Sequence, residues 1–135
     1  MVLDTHIYIF AMESFVPIAK PWVYQIYLNA CMAQVRKAQR EIPVIVGEWC
    51  VCNKYANKTA QAALPQKERE ERQRAQYREI ARMELNAWKE TAGWFYWNYQ
   101  MLRDRNQPTD VSWKETWDLS RCLKYGWLTP EDFAL

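Results

Sequence analysis

The segment Ile42-Pro-Val-Ile-Val-Gly-Glu-Trp-Cys50 is a short apolar run, rich in β-branched residues, that ends in Gly47-Glu48-Trp49. Runs of this length bounded by a turn signal read as strands buried on both faces. A carboxylate at the C-terminal end of such a strand is costly unless it sits at the rim of a pocket, within reach of water or a substrate. Glu48 is therefore a candidate site residue; the plainer reading is a salt-bridged glutamate closing a strand. A second stretch carries chemistry at alternating positions. From Val2 to Phe10, Asp4, His6 and Tyr8 share one side, while Leu3, Ile7 and Ile9 share the other with Thr5 among them. An acid, an imidazole and a phenol in succession do not make a core face. They form either the solvated side of an amphipathic strand or a polar row looking into a cavity. A third stretch, Gly93-Trp-Phe-Tyr-Trp-Asn-Tyr-Gln100, alternates Phe95, Trp97 and Tyr99 against Trp94, Tyr96 and Asn98. Aromatic side chains at this density fill a core, line a ligand groove, or do both.

These residues must be positioned by a chain of 135 residues, enough for a single domain (1–135) with a real core but short for a large enzyme fold. Half the residues are apolar, and the net charge of +2 comes from interspersed signs, so no electrostatic footprint for nucleic acid is visible. No apolar segment reaches the roughly 18 residues needed to span a bilayer, so no membrane partner is expected. The N-terminus does not read as a signal peptide, and no targeting signal is expected on this chain. Cys31, Cys50, Cys52 and Cys122 permit three disulfide pairings, among which the sequence does not choose. Cys31 falls on the apolar face of a helix and reads as a buried free thiol. Cys50-Val-Cys52 lacks the two-residue spacer of zinc and redox motifs, and the only histidine, His6, is distant in sequence. Neither a metal nor another cofactor is expected.

Along the chain, the first strand gives way to a loop containing Pro17 and Pro21, then a helix predicted from Trp22 to Arg40 with Tyr24, Leu28, Cys31, Val35 and Ala38 as its buried stripe. The Glu48 strand follows, then a polar loop over 53–65. A long helix is predicted from Gln66 to Glu90. Its first half is charged, with Glu68–Arg72 and Glu70–Arg74 four apart, and its second half is amphipathic through Tyr77, Ile80, Ala81, Leu85 and Trp88. The aromatic strand, a charged loop over 101–110, and a helix from Ser112 to Tyr125 carrying Trp113 and Trp117 complete the chain, with Gly126 as its stop. The pattern is βαβαβα, an α/β arrangement of parallel strands that fits part of a doubly wound sheet or part of a (β/α)8 barrel. No glycine-rich phosphate loop follows any strand, which argues against nucleotide binding.

Three motifs, in order, give this chain a family likeness. Asp4-Thr-His-Ile-Tyr8, Val46-Gly-Glu48-Trp49 and Gly93-Trp-Phe-Tyr-Trp97 resemble the sixth, seventh and eighth barrel strands of glycoside hydrolase family 5, the cellulase and exo-β-1,3-glucanase type. Trp117-Asp118 and Gly126 are similar to the final helix of the exo-glucanase-like branch. The resemblance covers nearly all of this chain and under half of a family barrel. It implies a partial TIM (β/α)8 barrel, a retaining O-glycosyl hydrolase acting on β-glucan, and a secreted parent involved in polysaccharide degradation. Glu48 would be the catalytic nucleophile, His6 and Tyr8 would line the sugar subsite, and Trp97 would be the platform beneath the sugar, with Trp49 a further sugar contact.

Retaining hydrolysis needs a second carboxyl group about 5 Å from the nucleophile to protonate the leaving oxygen and then activate water. The family places it after an asparagine at the end of the fourth strand, and no Asn-Glu pair occurs here. Glu13 is the nearest spare carboxylate and a poor substitute. The chain is thus expected to be a partial product with negligible turnover, self-associating through open barrel edges. The alternatives are a carbohydrate-binding remnant that holds β-glucan through Trp97, Trp49 and Tyr8 without cleaving it, and a purely structural fragment whose tryptophans are core.

Overall fold

The computed structural model describes residues 1–101 and 113–133, with the side chains of Ala60 and Trp113 outside that description. It is a mixed α/β fold in which helices flank a small parallel sheet. The elements run β1 (Leu3–His6), α1 (Ile9–Met12), α2 (Pro21–Ala38), β2 (Val44–Trp49), α3 (Lys54–Ala60), α4 (Gln66–Trp88), β3 (Gly93–Tyr96) and α5 (Leu119–Lys124), with 3-10 turns at Trp113–Trp117 and Pro130–Phe133. The strands lie in the order β1-β2-β3, all parallel.

Helix α2 starts on Pro21, at a position where the missing N–H has no helical partner to lose, and ends with Arg36 and Lys37 in its last turn. It buries Val23, Tyr24, Leu28, Met32 and Val35, while Cys31 and Ala38 are only partly buried. Helix α4 buries Tyr77, Ile80, Ala81, Leu85 and Trp88, the stripe its spacing predicts, together with Gln73 and Glu84. On its solvated first half Arg72 meets Glu68 at 3.3 Å. The second expected pair is replaced: Glu70 accepts from Gln66 at 2.8 Å, and Arg74 donates to the Tyr125 carbonyl at 3.0 Å. A guanidinium on the last carbonyls of α5 answers the unpaired end of that helix, whose exit Gly126 makes with a left-handed φ of 68°.

Four segments differ from their predicted form. The first strand ends at His6, and Tyr8 becomes the extended residue that starts α1, so the strand does not reach Phe10. The predicted polar loop over 53–65 contains α3, whose start is fixed by the Asn53 side chain accepting from Ala56 N at 2.8 Å. The aromatic strand ends at Tyr96, because Asn98 N donates to Trp117 O (2.7 Å) and Leu119 N and Ser120 N donate to Asn98 O and Tyr99 O (2.9 and 3.0 Å). The final helix is split, since Asp118 caps α5 by accepting from Arg121 N at 3.1 Å. Past Met101, the predicted charged loop lies outside the described residues, as does Ser112.

The sheet register is interrupted at one place that matters. Thr5 pairs with Val46 and His6 with Glu48, leaving Gly47 as the extra residue of a bulge, and the same irregularity separates Val46↔Trp94 from Trp49↔Tyr96. Val44 and Val46 point into the helix-covered core, and the extra residue sends Trp49, not Glu48, back to that side. All four cysteines are free, and Cys50, Cys52 and Cys122 are buried. Among the described residues, no helix is long and apolar enough to cross a membrane.

Candidate functional site

Glu48 is presented at the C-terminal end of the central strand, turned out of the core by the bulge at Gly47. Its Oε2 accepts a hydrogen bond from the Tyr8 hydroxyl at 2.7 Å and lies 3.3 Å from His6 Nδ1. His6 Nε2 in turn lies 3.4 Å from Asp4 Oδ2. The glutamate side chain is 24% exposed, against 48% for His6 and 53% for Asp4, so the row grades from the sheet centre to its edge. The expected trio of Glu48, His6 and Tyr8 is therefore brought together.

Tyr8 is also held by ring packing. Its ring packs on Phe10 (centroids 5.1 Å) and Trp117 (5.5 Å), which also pack on each other (5.3 Å). Burial first, and then the neighbouring Glu48 carboxylate, push the Tyr8 phenol well above its usual range. It remains a hydroxyl donor across the pH range of a folded protein.

Trp97 follows β3, donating its backbone N–H to Trp49 O at 2.9 Å, which sets it one strand away from the residue after Glu48. Its indole is 45% exposed, between Phe95 at 62% and Tyr99 at 69%. The peptide bond from Trp97 to Asn98 is cis. Trp49, expected as a further sugar contact, lies in the core. It is 0% exposed, and the edges of Trp88, Trp94 and Tyr96 close around it at 6.2, 5.4 and 4.9 Å. No face of that indole is left for a ligand. Its role is core.

Glu13 is also committed elsewhere. It is buried, accepts from the Tyr24 hydroxyl and from Lys54 N (2.7 Å), and so ties α1, α2 and the start of α3 together. Asn57 accepts from the Tyr77 hydroxyl. Three participants lacked an assigned role at the sequence level. Asp4 was visible in the polar row, whereas Phe10 and Trp117 have no local pattern linking them to Tyr8. Trp117 is delivered by Asp118, buried and accepting from Met101 N (3.0 Å), Ser120 Oγ (2.5 Å) and Arg121 N. Burial alone would raise that carboxyl, but these donors hold it below its ordinary value.

A partly buried and a half-exposed carboxyl group, an imidazole and a phenol in one connected row can hold a proton or present a carboxylate to a bound electrophile. Among the described residues, no group of three or more His, Cys, Asp or Glu is placed to hold a metal ion. Comparison with models of known protein families and with curated proteins finds no match.

Proposed function

We propose that this chain carries the nucleophile half of a retaining O-glycosyl hydrolase site for β-glucan, on strands that form the sixth to eighth strands of a (β/α)8 barrel. The observation that carries the reading is the Tyr8 hydroxyl bonded to Glu48 Oε2 at 2.7 Å at the C-terminal end of parallel strands, with His6 beside it. A carboxylate oriented by a phenol and an imidazole is ready to attack an anomeric carbon, and both groups can also bond sugar hydroxyls. Trp97 supplies an exposed apolar face suited to a pyranose ring. With Glu13 buried in another network, no carboxyl group among the described residues is assigned as proton donor for the leaving oxygen. Loss of that donor costs roughly 10²- to 10⁴-fold in rate, so turnover by the chain alone is negligible.

A second reading, sugar binding without cleavage, draws on the exposed row of Phe95, Trp97 and Tyr99. Both readings need Trp97 at the sugar. Titration with β-glucan oligosaccharides, followed by tryptophan fluorescence, is expected to show saturable binding that Trp97→Ala weakens roughly tenfold, the loss of one good apolar contact. Equal binding by the variant, or none by the parent chain, would remove the sugar site.

A further inference from the structure

The open face of the sheet holds a contact that neither the nucleophile nor the sugar platform requires. Asp4 lies over Gly47, where an added Cβ would come within 2.6 Å of the Asp4 Cγ and closer still to one carboxylate oxygen. Only a residue without a side chain leaves that seat free. From it, Asp4 Oδ2 faces His6 Nε2 at 3.4 Å, while His6 Nδ1 faces Glu48 Oε2 at 3.3 Å. The imidazole is thus bracketed by two carboxylates through its two nitrogens.

We propose that Asp4, seated on Gly47, is a positioning residue that holds His6 against Glu48. The Asp4 carboxylate fixes the ring orientation, so that the other imidazole nitrogen is kept against the Glu48 carboxylate. The bulge serves two ends at once: it turns Glu48 to the open face, and its extra residue is the glycine that makes room for Asp4. The proposal rests on the glycosidase reading only for what Glu48 does next; the seat and its effect on His6 stand apart from it.

The chain has a single histidine, which gives the proposal a clean reporter. Diethyl pyrocarbonate acylates an unprotonated, accessible imidazole nitrogen, and the product is read at His6 by absorbance and peptide mass. In the full chain near pH 6.5, Asp4→Asn keeps the side-chain shape and removes the charge. It should raise the modification rate of His6 about two- to fivefold, because a weakened contact of the size expected for exposed polar partners frees the imidazole nitrogen for the reagent. Gly47→Ala should produce the same rise with Asp4 intact, because the methyl group takes its seat, and should add nothing in the Asp4→Asn background. Unchanged rates in both single variants would make Asp4 a solvated bystander and overturn the proposal. A rise in Asp4→Asn alone would overturn the seat. Covalent trapping of Glu48 by a fluoroglycoside, run on the same proteins, should slow in Asp4→Asn. If the parent chain is never trapped, the glycosidase reading fails while the His6 comparison still decides the role of Asp4.

Discussion

Trp49→Ala is expected to lose about 3–5 kcal/mol of folding stability, the cost of deleting a fully buried aromatic ring. That is a large share of the roughly 5–15 kcal/mol that holds a domain together. Trp49 is 0% exposed and sits where Trp88 of α4, Trp94 and Tyr96 of β3 meet edge-on. Truncation would open a cavity lined by rigid rings that have no flexible side chain to fill it. Trp49→Phe should cost much less, because a ring remains and the indole nitrogen has no hydrogen-bond partner to lose. Urea denaturation of the two variants checks this. A Trp49→Ala chain that unfolds with the parent yet loses sugar affinity would return Trp49 to the binding face.

Glu84→Met is expected to act in the opposite direction. Glu84 is 0% exposed on α4, and neither carboxyl oxygen has a partner. Burial pushes its carboxyl well above the ordinary value, so the folded chain keeps a proton that the unfolded chain gives up. Among the described residues, Tyr27 from α2 and the thiols of Cys50 and Cys52 are electrostatic neighbours of Glu84, and burial is the cause of its shift. The sign of the pH effect follows. An unfolded glutamate titrates at about 4.3. Below that value both states hold the proton and Glu84 adds no pH dependence. As pH rises above it, the unfolded state is favoured increasingly, up to the raised folded value. Glu84→Met should therefore gain roughly 1–3 kcal/mol near pH 7, by removing an unsatisfied buried group, with a smaller gain near pH 4. Denaturation midpoints at the two pH values test this; a gain independent of pH would contradict it.

The parallel α/β pattern was legible because the first strand alternates polar and apolar residues, the second and third are short apolar and aromatic runs, and each long helix has a clear stripe. The stripe of α4 is buried as its spacing predicts. What escaped was decided by single residues acting at a distance or against the local pattern. Strict alternation along Val44, Val46 and Glu48 would put Glu48 on the core side and Trp49 on the open side. One extra residue at Gly47 reverses both, and a bulge leaves no periodic trace in a nine-residue run. Helix α3 was hidden because seven residues are too few for a stripe; its signal was Asn53, a capping side chain. Asp118 likewise marks the break in the final helix. At the site, alternation put Asp4, His6 and Tyr8 in one polar row, and only the family resemblance set His6 and Tyr8 at the same subsite as Glu48. The packing of Phe10 and Trp117 on Tyr8 depends on tertiary contacts that no local pattern records.

The central claim is that Glu48 is an activated nucleophile, and it can be tested without the missing proton donor. A 2-deoxy-2-fluoro-β-glucoside with a dinitrophenolate leaving group departs unprotonated, so trapping requires only the attacking carboxylate. Peptide mass spectrometry after incubation is expected to find one fluoroglucosyl group, on Glu48, and none on Glu48→Gln. An unlabelled chain under conditions where oligosaccharide binds, or a label on any other carboxylate, would contradict the account.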